Sequence, residues 1–226
     1  NNYYQLLGIA MAKLPIIQLP DPVLRQQAQE ITEINDELQR LIDDMAETMY
    51  AAPGLGLAAN QVGILERILV LDTDYDIEDL EEGEEAPEGA EVVNGMILSG
   101  KKPQIIINPE IVLKEGEIAM SEGCLSVPGM MGAVPRFTKL RYRGVSPDGE
   151  AIDRTVSGFH ARVVQHECDH LDGILGDLHR FGHHQRHLVT HMAHLALGEH
   201  GVGRLLHRCA VDAVDQPAAR QAVDLV

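Results

Sequence analysis

The sequence predicts an α+β fold in which two helices flank a middle region of short, mostly antiparallel strands. Three observations carry this prediction: a helical repeat of apolar residues that ends near residue 53, a second that starts near residue 156, and short branched-apolar runs between them. The chain has 226 residues, of which 45% are hydrophobic. A single domain with a sizeable core is expected, because domains commonly contain about 100–200 residues.

The first predicted helix follows Asn35, which is placed to cap its N-terminus. Its apolar residues recur at helical spacing, and they are Leu38, Leu41, Ile42, Met45 and Met49. Two acidic residues follow the cap, where they interact favourably with the helix dipole. Pro53 and Gly54 are expected to end the helix.

Three runs rich in branched apolar residues predict strands in the middle of the chain, at 66–72, 103–120 and 138–149. Pro, Gly or Asp residues bound each run, as expected for strands that are joined by turns. No run approaches the roughly 20 apolar residues that a helix needs to cross a bilayer. We therefore expect no membrane span.

The second predicted helix starts at Val156 and carries the stretch QHECDH, residues 165–170. The residues that share one face of it, at intervals of four, three and four, are Phe159, Val163, His166 and His170. Because residues four apart stand one turn above each other, His166 and His170 can present ring nitrogens to one metal ion at about 2.1 Å. The alternative is two histidines on the surface or hydrogen-bonded in the core.

Glu167 lies between these histidines and completes an HExxH motif, which is typical of metallohydrolases but also occurs by chance. Such a site needs a third ligand. Cys124 in the stretch EGCLSVPG, residues 122–129, is a candidate, because Gly123 beside it lets the backbone approach closely. Alternatively, Cys124 is ordinary buried packing.

The stretch GLGLAANQ, residues 54–61, combines room for close backbone approach with an amide donor. Gly54 and Gly56 lack side chains, the two alanines are small, and Gln61 supplies the amide. The stretch departs from GxGxxG, because Asn60 and Gln61 stand where a third glycine is expected. A dinucleotide site is therefore disfavoured.

Charge is unevenly distributed along the chain. The net charge is −17, and the eleven acids of residues 72–91, which carry no base, leave about −6 elsewhere. We expect a solvated, mobile insertion at about 72–102, because like charges repel and little there can be buried. An acidic chain repels phosphate backbones, so no direct nucleic-acid site is expected.

Two features favour a reducing, cytoplasmic compartment. Three cysteines cannot all pair within one chain, and a reducing compartment keeps thiols free for metal binding or catalysis. The first residues lack the basic start and apolar stretch of a signal peptide, and they lack the arginine-rich composition of a transit peptide.

The three stretches, in this order, resemble the motifs of the peptide deformylase family: GLGLAANQ the first, EGCLS the second and QHECDH the third. The resemblance covers roughly residues 13–175. It implies small antiparallel sheets around a central helix that carries the third motif. It also implies a catalytic domain at 11–178, which includes the acidic insertion, followed by a histidine-rich C-terminal extension at 179–226.

The resemblance further implies a role for each motif residue. Cys124, His166 and His170 match the metal ligands, Glu167 the general base, and Gln61 with the backbone N–H of Leu125 the donors to the oxyanion. The family's usual ion is Fe(2+), which zinc, nickel or cobalt can replace. A divalent ion lowers the pKa of a bound water from about 15.7 to roughly 7, and Glu167 would accept its proton.

The implied substrate is an N-formylmethionyl nascent peptide, met at the ribosome in a bacterial cytoplasm, and the implied product is formate. Backbone groups of Gly54 to Gly56 are expected to pair with the extended peptide as an added strand. Leu55, Phe159 and Val163 are candidates for part of the methionine pocket. Ordinary core packing is the alternative for these three side chains.

Other polar residues near the motifs have structural alternatives. Asp169 either orients a ligand histidine or forms a structural ion pair. Glu122 and Arg136 are expected to fix the motif loops rather than to contact substrate. Cys168, at the variable position of the third motif, is expected to be inert packing.

The chain departs from the family pattern at His160, where GFLAR is usual, at Gly176, where an aromatic residue is common, and in its tail. Eight of the 11 histidines lie at or beyond His179, and some follow helical spacing. A variable extension is favoured there over a metal store.

Two rival functions stay open: a zinc peptidase that uses HExxH alone, and a non-catalytic relative that binds peptide or metal.

Overall fold

The computed structural model describes residues 13–80, 86–87 and 90–175. The helices of this part are α1 (Asp36–Ala51) and α2 (Gly158–Leu171), with 3-10 turns at Pro22–Arg25 and Ala59–Val62. The strands are β1 (Gly56–Ala58), β2 (Ile68–Leu71), β3 (Asp76–Asp79), β4 (Glu91–Val93), β5 (Met96–Ser99), β6 (Gln104–Glu115), β7 (Ile118–Gly123), β8 (Met131–Arg136), β9 (Lys139–Val145) and β10 (Ala151–Ser157). Neither α1 nor α2 has the length and apolar character that a bilayer span requires.

The strands form three antiparallel sheets, which confirms the predicted α+β class with small sheets. The largest sheet has five strands in the order β1-β2-β6-β9-β10. Strands β3, β5 and β4 form a second sheet, and the pair β7-β8 forms a third. Strand β1 therefore lies at one edge of the large sheet, with β2 as its neighbour.

Helix α1 forms as its sequence pattern predicts. The Asn35 side chain accepts hydrogen bonds from the N–H groups of Glu37 (3.1 Å) and Leu38 (2.9 Å), so it satisfies two of the donors that a helix start leaves unpaired. The helix ends at Ala51, two residues before Pro53. Four of the five apolar residues of its predicted face are buried, namely Leu38, Ile42, Met45 and Met49.

Strand β2 is buried on both faces because the large sheet lies between the two helices. Ile68 and Val70 belong to the apolar cluster that contains the buried face of α1. Leu69 and Leu71 belong to a second cluster with the apolar residues of α2. Alternate residues of a strand point to opposite faces, so this one strand holds both helices at fixed positions.

Two predicted boundaries are wrong. The run 103–120 is two strands, β6 and β7, which belong to different sheets and are separated at Gly116. Gly116 has a φ of +63°, and a Cβ there would overlap the Thr138 hydroxyl, so a tight turn breaks the apolar run. Val156, the predicted start of the second helix, lies in β10, and α2 starts at Gly158.

The acidic insertion is more ordered than its charge suggests. Its described residues supply the sheet of β3, β4 and β5. Tyr75, Ile77 and Leu98 are buried there, so the expectation that little of the insertion can be buried is wrong. These apolar side chains join the α1 cluster and thereby anchor an otherwise charged segment. Residues 81–85 and 88–89, and the predicted extension at 179–226 with Gly176, lie outside the described residues.

Candidate metal centre and active site

Three potential metal ligands meet between β7 and α2. The Sγ of Cys124 lies 3.2 Å from Nε2 of His170, which lies 3.3 Å from Nε2 of His166. All three donor atoms are within 4.8 Å of one another. Cys124 directly follows β7, and the histidines stand one turn apart on α2. The sequence-predicted trio is therefore brought together in space.

Glu122 fixes one of these histidines. Its Oε2 lies 2.9 Å from Nδ1 of His166, so the other ring nitrogen of His166 is directed at Cys124 and His170. Metal-binding histidines usually make such a contact, because it sets the ring orientation and makes the ligand nitrogen more basic. Glu122 therefore does more than fix a loop, which is all that the sequence predicts for it.

Two arginines complete the surroundings of Glu122. Nε of Arg136 donates to the carboxylate at 3.1 Å and 3.3 Å, and Nη1 of Arg162 donates to Oε1. Burial alone would raise the pKa of Glu122, but hydrogen bonds from His166 and Arg136 lower it to about 2. The carboxylate is therefore ionised at all physiological pH values.

Arg162 is a site residue that sequence reasoning misses. Besides Glu122, it donates to the backbone carbonyls of Val134 (3.1 Å) and Ile118 (2.9 Å), so it joins α2 to both strands of the β7-β8 sheet. Arg162 is only 5% exposed. A signal for it is present in the sequence, since an arginine four residues before His166 shares its helix face.

Asp169 pairs with Arg136 rather than with a histidine. Of the two roles that the sequence leaves open for Asp169, the structural ion pair is the one observed. The contact that orients His166 comes from Glu122 instead. Cys168 is buried, and burial raises the pKa of its thiol to about 12, which keeps it protonated. This agrees with its expected role as inert packing.

The Gln61 amide is oriented by the backbone of its own loop. Oε1 of Gln61 accepts from the N–H of Ala58 at 2.8 Å, which turns Nε2 toward Sγ of Cys124 (3.7 Å) and Oγ of Ser126 (3.4 Å). Leu125 lies in the turn that follows Cys124. A 3.0 Å hydrogen bond from the Val127 N–H to the Cys124 carbonyl closes this turn. The Gln61 amide thus borders the Cys124 sulfur.

Glu167 is buried against β1. A Cβ on Gly56 would lie 2.7 Å from Cδ and 2.8 Å from Cγ of Glu167, so only glycine leaves room for this side chain. Burial raises the pKa of Glu167 to about 7, against the opposing influence of the cations His166 and Arg136. Among the described residues, its Oε2 has no hydrogen-bond partner. A carboxyl group with these properties is suited to exchanging a proton near neutral pH.

Fewer backbone groups are free at the edge of β1 than the sequence predicts. Gly54 donates its N–H to Met49 (2.9 Å) and accepts from the Tyr75 hydroxyl (2.9 Å), and the Leu55 carbonyl accepts from Asp72 (3.0 Å). Gly56 lies opposite Leu71 in the β1-β2 ladder, next to the hydrogen bond from Asp72 to Leu55. Because hydrogen-bonded and non-hydrogen-bonded pairs alternate in an antiparallel ladder, the N–H and C=O of Gly56 point away from β2. Of Gly54, Leu55 and Gly56, only Gly56 presents both backbone groups outward.

The three candidate pocket residues lie in different places. Phe159 borders a cavity of about 300 Å³, whose other lining residues include Ile118, Met120, Phe137 and Arg162. Val163 is buried in the α2 cluster of the core. Leu55 is partly buried and packs against both clusters.

The electrostatics of the trio suit a cation. Burial lowers the pKa of His170, and the neighbouring cations His166 and Arg136 lower it further, so its ring is neutral, as a metal ligand must be. Burial would also lower the pKa of His166, but hydrogen bonds to Cys124 and Glu122 raise it to about 10. The ionised Glu122 carboxylate therefore favours a positive charge beside the His166 ring. One sulfur and two nitrogens are also a donor set that transition metals accept.

The chain is similar to known proteins both in sequence and in structure. The family model for polypeptide deformylase matches residues 13–181. The chain belongs to the polypeptide deformylase family. The members of this family are hydrolases, so the chain belongs to a family of enzymes.

Relatives in sequence and in structure carry the same family name. Peptide deformylase from Symbiobacterium thermophilum is 44% identical over 165 residues, which are 73% of this chain and 65% of that relative. The crystal structure of peptide deformylase from Thermotoga maritima has a TM-score of 0.60 at 33% identity, covering 73% of this chain and 95% of that one. The Met-Ala-Ser-bound crystal structure of class I type b peptide deformylase from Acinetobacter baumannii has a TM-score of 0.59 at 29% identity. The match covers 74% of this chain and 97% of that one.

The Glu122 contact predicts a measurable effect on metal affinity. Glu122→Gln keeps the shape of the side chain but removes the charge that pairs with His166. We expect zinc affinity, measured by competition with a chromophoric chelator, to fall about 10–100-fold. The control is Glu115→Gln, which removes the same charge from an exposed pair with Lys139. Equal affinities of the two variants would contradict the role given to Glu122.

Proposed function

We propose that the chain is a metal-dependent hydrolase that removes the formyl group from the N-terminal formylmethionine of newly synthesised proteins and releases formate. The observation that carries the proposal is the meeting of Cys124, His166 and His170 beside Glu167, which itself lies against the Gly56 edge. A ligand trio, a proton carrier and a free strand edge are the parts that hydrolysis of an extended formyl peptide requires.

In the proposed site, Cys124 Sγ and the Nε2 atoms of His166 and His170 hold one divalent ion. Fe(2+), the usual ion of the family, is proposed as the native one, and zinc, nickel or cobalt suit the same donors. When bound, the ion acidifies water and polarises the formyl oxygen. The helix that carries the HExxH motif is thereby proposed as the centre of the catalytic domain, residues 11–178.

The substrate is proposed to lie along β1 in extended form. The outward N–H and C=O of Gly56 would pair with its backbone, as in the addition of a strand to a sheet edge. The cavity lined by Phe159, Met120 and Arg162 is proposed to receive the methionine side chain. Leu55 and Val163 do not line this cavity, and their place in the methionine pocket stays a prediction. Met-Ala-Ser bound to the Acinetobacter baumannii relative supports a peptide substrate.

Glu167 and Gln61 are proposed to divide the chemistry. Glu167 takes a proton from the attacking water, which its pKa of about 7 permits, and passes it to the leaving amine. The Gln61 Nε2–H and the Leu125 N–H stabilise the oxyanion that develops from the formyl carbonyl. Because the Ala58 N–H donates to the side-chain Oε1 of Gln61, the Gln61 amide is oriented before substrate binds.

The cellular setting is also a proposal. Formylated nascent peptides would be met at the ribosome in a bacterial cytoplasm. The acidic composition gives no support to a direct nucleic-acid site, so contact with the nascent peptide alone is proposed.

The primary test is formate release from formyl-Met-Ala-Ser by the protein purified without oxygen, beside Glu167→Gln. We expect release by the parent and a loss of at least about 10²-fold in the variant, because Gln cannot accept a proton. Bound metal is quantified in both, and both should carry it. Release by neither protein, with metal bound, would contradict the proposed function. Equal release would contradict the role of Glu167 alone.

A pair of glycine variants tests the position of Glu167. In Gly56→Ala the new methyl group overlaps the Glu167 carboxyl, whereas in Gly54→Ala it meets the flexible end of Leu125 at 2.9 Å. We expect kcat/KM to fall about 10²-fold for Gly56→Ala, since a misplacement of about 1 Å has this cost. The loss for Gly54→Ala should be smaller. The reverse order would contradict the close contact of Gly56 with Glu167.

A further inference from the structure

Tyr75, in the acidic insertion, reaches the glycine loop of the site. Its hydroxyl donates to the carbonyl of Gly54 at 2.9 Å, and the residue is only 1% exposed. The ring meets Tyr50 of α1 edge to face, with centroids 5.1 Å apart and planes at 89°. A residue from a segment outside all three family motifs is thus hydrogen-bonded to the first of them.

The two ends of the insertion meet at one buried carboxylate. Oδ2 of Asp72 accepts from the Tyr50 hydroxyl and from the Lys102 N–H, both at 2.6 Å. The Asp72 N–H donates to the Leu55 carbonyl at 3.0 Å. Asp72 and Tyr75 therefore hold Leu55 and Gly54, the two residues that directly precede Gly56 at the start of β1.

Gly54 depends on this contact for its position. Its N–H is bound to the Met49 carbonyl at the end of α1, and its carbonyl has the Tyr75 hydroxyl as partner. Burial, assisted by the charge of Asp72, raises the pKa of the Tyr75 hydroxyl, so it stays protonated and keeps its donor role. Without the Tyr75 hydroxyl, Gly54 would lose one of the two hydrogen bonds that hold its backbone, and a glycine has few conformational restraints of its own.

We propose that Tyr75 is a positioning residue for peptide binding, which holds Gly54 so that the outward N–H and C=O of Gly56 stay aligned with the substrate backbone. The proposal rests on the function proposed for the site. It assigns the acidic insertion a role in forming the substrate edge. The Tyr75 side chain acts through Gly54, and it touches neither the ligand trio nor Glu167.

The test uses Tyr75→Phe, which removes one oxygen atom and keeps the ring packing against Tyr50. The loss of one buried hydrogen bond predicts about fivefold weaker binding of the peptide Met-Ala-Ser, measured by calorimetry on the full-length, metal-loaded protein. KM for formyl-Met-Ala-Ser should rise by a similar factor, and kcat should change less than about twofold, because the catalytic groups are not displaced.

The matched control is Tyr142→Phe, a fully buried tyrosine on the opposite face of the sheet, in the α2 cluster. It should lower thermal stability without changing peptide affinity or KM. If Tyr75→Phe binds Met-Ala-Ser as tightly as the parent does, the proposal is overturned, whatever the formate release. If the parent binds the peptide and Tyr75→Phe binds it more weakly, the proposal stands even when the parent releases no formate, an outcome that contradicts the proposed function only.

Discussion

The buried carboxylate of Glu122 is the interaction on which the site depends. It accepts hydrogen bonds from Arg136, Arg162 and His166, and so joins the β7-β8 sheet to helix α2. Because Cys124 follows Glu122 by two residues, the same contact sets the distance between the sulfur and the histidine rings. A buried, paired charge stabilises little in net terms, but the loss of one partner is costly because the other charges stay buried. The network therefore specifies geometry more than it adds stability.

The large sheet supplies the other half of the geometry. Strand β2 packs against α1 with one face and against α2 with the other, so the glycine loop on β1 and the HExxH helix have a common support. Glu167 reaches β1 where Gly56 has no side chain. A peptidase that uses HExxH alone leaves Cys124 unexplained, whereas the contact of Cys124 with His170 supports its proposed role as the third ligand. The geometry thus favours the deformylase function over this rival.

Local sequence patterns predict the helices and the meeting of the ligands, since a cap, a helical repeat and a four-residue spacing act over short distances. Asn35 and the pair His166 and His170 are examples. The contacts of Arg162 and Tyr75 are harder to predict, because their partners are distant in sequence. Helical spacing places Arg162 on the face of His166, but it does not identify the strand carbonyls that Arg162 contacts. The same reason explains the misjudged insertion: eleven acids indicate solvation, but two or three apolar residues among them suffice to anchor a small sheet. Strand breaks at glycines such as Gly116 depend on neighbours that the sequence does not identify.

Cys124, His166 and His170 are proposed to hold one metal ion together. X-ray absorption spectroscopy of the protein loaded with one equivalent of zinc tests this proposal most directly, because sulfur and nitrogen neighbours are distinguished by distance. We expect one sulfur at about 2.3 Å from the zinc and nitrogens at about 2.0–2.1 Å. A shell of nitrogen and oxygen without sulfur, such as the histidines beyond His179 would give, would contradict the proposal.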